Sequence, residues 1–237
     1  RSTSSAASDV YKRQCYNEIN NIPKVIDKVL SKINVDDNII IVDDGSNDGT
    51  SQYLGNIKND KIKIILNGQN FGKGFAVRTA LKEKQLLNDL VLIQDADLEY
   101  SPDDYDKLLL PFQEANADVV YGSRFLGGSK YQRIHFFWHY LANKILTFIT
   151  NVFTNLNMTD METGFKVFRK TALIDLILKE NSFGIEPEIT IKLAKKRLKF
   201  YEVPVSYAGR SYEEGKKIRL KDAFIALYCI IKYSFTK

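Results

Sequence analysis

Short apolar runs alternate with amphipathic segments along most of the chain. Four runs have the length and the Val, Ile and Leu content of buried strands, at residues 39–42, 62–66, 90–93 and 119–121. Between them, apolar residues recur at the three- and four-residue spacing of a helix, most clearly over residues 22–33. Ser101 and Pro102 are residue types that begin another helix. Strands separated by helices at this spacing predict an α/β fold with a Rossmann-like, mostly parallel sheet flanked by helices.

Polar clusters follow three of the predicted strands directly, at residues 43–46, 95–97 and 122–124. Open parallel sheets bind ligands outside the carboxyl ends of their strands, so we expect the three clusters to share one site. In the first cluster, the carboxylates of Asp43 and Asp44 can accept hydrogen bonds from a nucleobase or a ribose. Asp and Ser before a helix are also common N-caps, so this cluster alone is equally compatible with a structural role.

The second cluster places two carboxylates, Asp95 and Asp97, just after an apolar strand. Two hard oxygen donors at a strand end suit Mg²⁺ or Mn²⁺ bridging a diphosphate. Such an ion offsets the charge that develops on a departing nucleoside diphosphate. Glu99 could be a third ligand or could cap the following helix.

Charge and composition narrow the class of protein. The 237 residues fit one large domain, and two cysteines without CxxC spacing argue against a disulfide framework or a zinc site and fit a reducing cytosol. Of the net charge of +5, the segment 192–222 alone carries +6, from ten Lys or Arg against four Asp or Glu. A basic C-terminal third suggests an anionic partner such as a phosphate, a lipid headgroup or a nucleic acid. The best apolar run, 223–231, is far shorter than the ~20 residues that a membrane span needs.

The first fourteen residues do not fit the alternating pattern. They are polar and rich in Ser and Ala, where an apolar strand is expected directly before Cys15. We interpret segment 1–14 as non-native, a cloning or sequence-assembly remnant that has displaced the first strand. The alternative is a polar tail leading into a short strand around 10–14.

Five motifs follow one another in order: Cys-Tyr-Asn-Glu at 15–18, Val-Asp-Asp-Gly-Ser at 42–46, Gly-Lys-Gly-Phe-Ala-Val-Arg at 72–78, Asp-Ala-Asp at 95–97 and Gly-Ser-Arg at 122–124. The series resembles glycosyltransferase family 2, in particular the branch of dolichyl-phosphate mannose and glucose synthases and bacterial polyprenyl-phosphate relatives. The resemblance runs from Cys15 to about Lys217. It implies a GT-A fold and metal-dependent, inverting transfer of a hexose from a UDP- or GDP-sugar.

The resemblance also implies roles for individual residues. Those near the nucleotide would be Tyr16, Glu18, Asp43, Asp44, Lys73 and Asp95. Those holding Mg²⁺ or Mn²⁺ would be Asp95, Asp97 and Glu99. Those closest to the reaction would be Asp97, Arg124 and Asp160, and those binding the acceptor or its phosphate would be Arg124, Arg133, Glu162, Arg210 and Lys216. Arg78, beside the glycine loop, would approach the nucleotide or be a solvated helix residue.

The second half is expected to govern the acceptor. Residues 15–125 would form the nucleotide-sugar half, 126–217 the acceptor half and 218–237 a C-terminal amphipathic helix. Segment 159–166 resembles the family's acidic, glycine-bearing acceptor loop. With an alcohol acceptor, Asp160 or Glu162 would be the general base. A phosphate acceptor needs no strong base because its oxygen is already anionic, but cations must then offset its repulsion from the donor diphosphate.

The implied acceptor is a polyprenyl or dolichyl-type phosphate, reached by a protein bound peripherally at the cytoplasmic membrane face, with no nucleic-acid partner. Residues 134–153 and 219–235 are typical of interfacial amphipathic helices, with core packing as the alternative for each. A second hypothesis is transfer to a saccharide hydroxyl in surface-polysaccharide synthesis. Others are a sugar nucleotidyltransferase, which lacks its N-terminal phosphate loop here, and a non-catalytic nucleotide-binding protein of the membrane surface.

Overall fold

The computed structural model describes residues 9–83, 89–128, 136–210 and 220–236, with the backbone alone for 9–14 and for residue 220. Its seven strands are β1 (Asp9–Cys15), β2 (Asn38–Asp43), β3 (Ile62–Leu66), β4 (Leu90–Asp95), β5 (Val119–Ser123), β6 (Lys166–Arg169) and β7 (Phe200–Pro204). They form one sheet in the order β3-β2-β1-β4-β6-β5-β7. β6 is antiparallel to both of its neighbours, and the other pairs are parallel. The predicted α/β fold with a mostly parallel sheet is therefore confirmed.

Eight α-helices flank this sheet within the described ranges: α1 (Ile22–Leu30), α2 (Thr50–Gly55), α3 (Lys73–Lys82), α4 (Tyr105–Glu114), α5 (Phe137–Thr154), α6 (Lys170–Leu173), α7 (Ile185–Lys195) and α8 (Leu220–Phe235). Pro102–Asp104 adds a short 3-10 turn before α4, which is where Ser101 and Pro102 predict a helix start. None of the helices in the described ranges has the length and apolar character needed to cross a bilayer.

β1 occupies the centre of the sheet despite its polar sequence. Its backbone pairs with β2 from Val10 to Cys15 and with β4 from Asp9 to Gln14. The structure thus contains the strand that the alternative interpretation places around 10–14. The two neighbouring strands supply hydrogen-bond partners for an extended backbone whatever its side chains are. That segment 1–14 is non-native stays a prediction.

A small hydrophobic cluster joins β2 to α3, and two larger ones cover the two faces of the sheet. One joins α1 and α4 to the sheet through residues such as Val25, Leu92 and Leu108. The other packs α7 and α8 against Tyr121 and Phe168. Adjacent residues of β6 serve opposite clusters, because side chains alternate across a strand, with Val167 in the first and Phe168 in the second. This double-sided burial fixes β6 between β4 and β5, and so holds the ends of those two strands in place.

Candidate active site

The carboxylates of Asp95 and Asp97 lie at the carboxyl end of β4, and each is paired with a cation from another part of the chain. Asp95 is the last residue of β4, and its Oδ2 lies 2.8 Å from the Lys73 ammonium at the start of α3. Asp97 Oδ2 accepts a hydrogen bond of 3.2 Å from Arg210. Burial, together with the negative charges of Glu99 and Asp95, raises the pKa of Asp97 to about 7. Negative charge is therefore in local excess around Asp97.

These two carboxylates fit the predicted Mg²⁺ or Mn²⁺. Such ions are commonly held by one or two carboxylates plus substrate phosphates, and a divalent cation would relieve the repulsion that raises the pKa of Asp97. Within the described residues, no group of three or more His, Cys, Asp or Glu side chains is arranged to hold a metal. The structure does not bring Glu99 into such a group, because its carboxylate accepts hydrogen bonds from the Tyr207 hydroxyl and the Arg210 backbone, both 2.8 Å long.

Arg210 connects three acidic residues. One terminal nitrogen lies 3.0 Å from Glu18 Oε1, the other bonds Asp97, and Nε lies 3.5 Å from Glu99 Oε1 without forming a hydrogen bond. Glu18, predicted to face a ribose, is buried and also accepts a 2.7 Å hydrogen bond from Asn21. A guanidinium thus supplies positive charge at the point where the sequence predicts a metal and a nucleotide.

A buried ion network extends from Asp95 into the core. The Lys73 ammonium lies 2.9 Å from Glu186 Oε1 on α7, and the other oxygen of Glu186 pairs with the buried ammonium of Lys166 on β6. Burial opposes ionisation of Glu186, but the charges of Lys166 and Lys73 outweigh it and lower its pKa to about 2. Glu186 is therefore ionised at any physiological pH, and it fixes both lysines.

Arg124 and Asp160 form a second pair, at the end of β5. Arg124 donates to the two oxygens of Asp160 from Nε and a terminal nitrogen, both at 2.7 Å, and its backbone N–H adds a bond of 3.0 Å. Asn143 of α5 donates to the same carboxylate at 3.1 Å. Burial would raise the pKa of Asp160, but the guanidinium holds it below its usual value. The Arg124 guanidinium also lies 5.2 Å from the centre of the Tyr207 ring.

Glu162 lies close to both ion networks, but it differs from Glu186 and Asp160 in its hydrogen bonding and its pKa. Within the described residues, two buried side-chain atoms lack a hydrogen-bond partner, Glu162 Oε1 and Arg210 Nε. Burial and the negative charge of Glu186 raise the pKa of Glu162 to about 7, although Lys166, Lys73 and Arg124 act in the opposite direction. Both unsatisfied atoms belong to residues predicted to bind the acceptor.

Asp43 and Asp44 are fully buried and organise loops. Asp44 accepts hydrogen bonds from the side chain of Asn67 at 3.0 Å and from the backbone N–H groups of Phe71 and Gly72 at 3.1 and 2.7 Å. Asp43 accepts from the hydroxyls of Ser46 and Ser51. These carboxylates therefore have a structural role, but not the predicted one of N-caps, because the N-cap of α2 is Gly49. Any contact of these carboxylates with a base stays a prediction.

The glycines at 72 and 74 permit close packing between the two halves. A Cβ at Gly72 would lie 2.5 Å from the carbonyl oxygen of Asn181, and one at Gly74 would overlap the carbonyl oxygen of Glu180. Arg78 donates to the Lys179 carbonyl at 2.8 Å and to the Asn181 side chain, rather than lying free in solvent. This loop therefore contacts the segment that leads into α7 and Glu186.

Two predicted acceptor residues, Arg133 and Lys216, lie outside the described residues. Tyr16 is half-buried directly after β1. Neither Glu186 nor Lys166 was predicted from the sequence as a site residue. The sequence signals for these two residues were weak: Glu186 is an acid in the first turn of a helix of largely apolar residues, and Lys166 is a lysine directly before Val167 and Phe168.

Comparison with known proteins decides the family. The model of the family described as "Glycosyl transferase family 2" matches residues 14–177. The chain belongs to glycosyltransferase family 2. A relative from Methanococcus voltae, UDP-N-acetylglucosamine–dolichyl-phosphate N-acetylglucosaminyltransferase, is 29% identical over 94% of each chain. An uncharacterized protein of Methanocaldococcus jannaschii is 33% identical, over 86% of this chain and 91% of its own.

Solved structures of similar fold support the overall architecture. Glucosyl-3-phosphoglycerate synthase from Mycobacterium tuberculosis in complex with UDP superposes with a TM-score of 0.72, covering 96% of this chain and 80% of that one. A complex of the same synthase with Mn²⁺, UDP and glucosyl-3-phosphoglycerate gives a TM-score of 0.71. At 17% sequence identity, this similarity establishes the GT-A fold and leaves substrates open.

Proposed function

We propose that this family 2 glycosyltransferase moves a hexose from a UDP-sugar to a polyprenyl or dolichyl-type lipid phosphate, with inversion and with Mg²⁺ or Mn²⁺. Asp95 and Asp97 would hold the ion, which when bound offsets the charge of the departing nucleoside diphosphate. Lys73, fixed by Asp95 and Glu186, adds a second positive charge on the donor side. Glu18 and Tyr16 would lie against the nucleoside, and GDP-sugars are the alternative donors.

The ion pairing and the lowered pKa of Asp160 are the observations that favour a phosphate acceptor. Both of its oxygens are bound by Arg124 and its pKa is lowered, so it is a poor general base for a hydroxyl acceptor. A phosphate acceptor needs no base, because its oxygen is already anionic. Arg124, oriented by Asp160, would instead bind the acceptor phosphate together with Arg210, Arg133 and Lys216. The activity in the name of the Methanococcus voltae relative supports this acceptor class and a UDP-linked donor.

A membrane surface is the partner that this acceptor requires. α5 touches the site through Asn143 and through Lys144, which donates to the Thr159 carbonyl at 3.1 Å. α5 and α8 expose a group of large apolar side chains, which we call the aromatic face: Phe137, Trp138, Phe148, Val152, Phe224, Tyr228, Ile231 and Phe235. The two helices meet at Phe153 and Phe235, whose ring centres are 5.6 Å apart. Exposed aromatic residues with lysines nearby suit the headgroup region of a cytoplasmic membrane face.

Release of nucleoside diphosphate tests the reaction. The protein would be incubated with UDP- and GDP-sugars, with Mn²⁺, Mg²⁺ or EDTA, and with a polyprenyl phosphate or the matching polyprenol. Release that requires both the metal and the phosphate supports the proposal and identifies the donor. Release with the polyprenol or an oligosaccharide but not with the phosphate favours the saccharide-hydroxyl alternative. Pyrophosphate as the product would indicate a nucleotidyltransferase, and nucleotide binding without turnover a non-catalytic role.

Vesicle flotation tests the partner. We expect the protein to float with anionic phospholipid vesicles, and Trp138→Ser/Phe148→Ser to reduce the floating fraction severalfold. Val35→Ser, an exposed apolar residue outside the aromatic face, is the matched control. Equal flotation of all three proteins would exclude the aromatic face as the membrane contact.

A further inference from the structure

Glu162 and Glu186 are neighbouring carboxyl groups in opposite states. Glu186 is bound by Lys73 and Lys166, and its pKa is lowered to about 2. Glu162 has no such partner at Oε1, and its pKa is raised to about 7. Two titratable groups whose surroundings separate their pKa values in this way commonly divide the acid and base roles of a site. Glu186 is the fixed anion here, and Glu162 is the group that can hold a proton.

The cations near Glu162 are already neutralised by other carboxylates. The charged groups that act most strongly on Glu162 are Glu186 on α7, Lys166 on β6, Lys73 on α3 and Arg124 after β5. Each cation already has a carboxylate: Lys73 contacts Asp95 and Glu186, Lys166 contacts Glu186, and Arg124 contacts Asp160. Three cations thus face three carboxylates, and an ionised Glu162 would be surplus negative charge.

The unsatisfied oxygen of Glu162 marks a position for a ligand atom. A buried polar atom without a hydrogen bond is destabilising, and each such atom in a native protein needs an explanation, such as a catalytic role or a bound water or ion. Asp160, two residues earlier, is bound by Arg124, so the same loop presents one ion-paired carboxylate and one carboxyl group with an unsatisfied oxygen.

We propose that Glu162 contacts the acceptor and donates a hydrogen bond from its carboxyl O–H to an oxygen of the acceptor phosphate. This inference rests on the proposed function and names the residue that selects a phosphate over a hydroxyl. An ionised Glu162 would repel a phosphate, whereas an incoming dianion favours the protonated acid. In the transfer, a phosphate oxygen forms the new bond to the anomeric carbon, the bond to the donor diphosphate breaks, and its electron pair leaves with the nucleoside diphosphate. Glu162 keeps its proton throughout.

The test compares wild type with Glu162→Gln, which presents an N–H donor at every pH. We would measure kcat/KM for a short-chain polyprenyl phosphate from pH 6 to 9 at saturating donor. For wild type we expect this ratio to fall about tenfold per pH unit above pH 7 relative to the Gln variant, with donor KM unchanged within about twofold. Glu83→Gln, a carboxylate that pairs with Lys63 outside the site, is the matched control and should follow wild type.

Three results would overturn the inference. If Glu162→Gln abolishes transfer while the wild-type rate rises with pH, Glu162 is a general base. If the two pH profiles coincide, Glu162 does not bind the acceptor through a proton. If wild type transfers no sugar to the lipid phosphate at any pH, the proposed function itself fails, and this outcome is visible without any variant.

A second measurement needs no variant. A prenyl sulfate has the tetrahedral shape of an acceptor phosphate but is a monoanion that does not titrate near neutral pH. Its binding to wild type at pH 8, followed by calorimetry in buffers of different ionisation enthalpy, should be accompanied by proton uptake by the protein. Binding without proton uptake would contradict the proposal.

Discussion

The guanidinium of Arg210 lies 3.0 Å from the carboxylate of Glu18, although 192 positions separate the two residues in the chain. The contact joins the segment after β7 to the loop after β1. Because Arg210 also bonds Asp97 at the end of β4, one side chain neutralises acids from two strand ends. Any cation that binds Asp97 must share this space or displace Arg210.

Replacing Arg210 should therefore change the response to metal. We expect Arg210→Ala to lower the melting temperature in EDTA, because Glu18, Asp97 and Glu99 lose their counter-charge. Mn²⁺ affinity without nucleotide, measured by electron paramagnetic resonance, should rise severalfold because a competing cation is gone. Lys32→Ala, which removes one partner of an exposed pair with Asp103, is the control. Unchanged Mn²⁺ affinity would show that Arg210 and the ion do not compete.

Arg124 and Asp160 should be energetically coupled. Removing one member of a buried ion pair leaves an uncompensated charge, which costs about 3–5 kcal/mol. We expect Arg124→Leu and Asp160→Leu each to lose unfolding free energy in that range, and the double variant to lose less than their sum. Urea denaturation of the four proteins gives the coupling energy. Additive losses would mean that the bidentate contact contributes little in solution.

Glu186 should contribute stability that disappears in acid. Its pKa is about 2 in the folded protein, against 4.5 for an ordinary glutamate, so its contribution is present above pH 4.5 and is lost as the pH falls towards 2. The shift corresponds to on the order of 3 kcal/mol. The difference in unfolding free energy between wild type and Glu186→Gln should be largest near neutrality and should narrow below pH 4.5. Chemical denaturation at several pH values, with Glu83→Gln as a charge-loss control, measures it. A constant difference would contradict the assignment.

Gly74 should tolerate no side chain. A Cβ there overlaps the Glu180 carbonyl oxygen, so Gly74→Ala forces the two halves apart and should lower stability by about 1–3 kcal/mol. Lys73 is the neighbouring residue and would shift with the backbone of Gly74, so the KM for the donor should rise as well. Gly68→Ala is the matched control, because a Cβ at Gly68 meets nothing within 4 Å. Similar melting temperatures for both variants would show that the contact is looser than the structure indicates.

The polar sequence of β1 should limit stability. A central parallel strand is normally a nearly continuous run of Val, Ile and Leu, and each buried apolar side chain contributes about 1.5–3 kcal/mol. Replacing residues 11–14 by Ile-Val-Ile-Val, which makes the strand apolar, should raise the melting temperature by several degrees. Equal melting temperatures for the two proteins would remove the argument that segment 1–14 is non-native.

Local sequence signals were sufficient for much of the fold. The apolar runs at 39–42 and 90–93 became β2 and β4 because burial on both faces leaves an uninterrupted pattern that is easy to recognise. β6 was not predicted, since four residues beginning with a lysine carry too little periodicity. Its position depends on antiparallel pairing with two distant strands, which no local pattern encodes.

The candidate site was likewise predicted only in part from the sequence. The position of the polar clusters directly after strands predicted that Asp95, Asp97 and Arg124 lie at one sheet edge, and the family resemblance assigned Asp160 to the acceptor loop. Which side chains pair could not be read from the sequence, as Arg124–Asp160 and Lys73–Glu186 are tertiary contacts. Glu186 was overlooked for this reason: it lies on a buried helix and becomes part of the site through the two lysines that it binds.

The close contact between Gly72–Gly74 and segment 180–182 has a consequence for exchanging specificities between family members. A chimera that joins the first half of this chain to the second half of a relative would place unmatched backbones against each other at this contact. The start of α3 would therefore have to be transferred together with the acceptor half, even though it belongs to the donor half in sequence. Exchange points placed before Asn67 and after Lys82 keep the contact within one parent, and with it the position of Lys73.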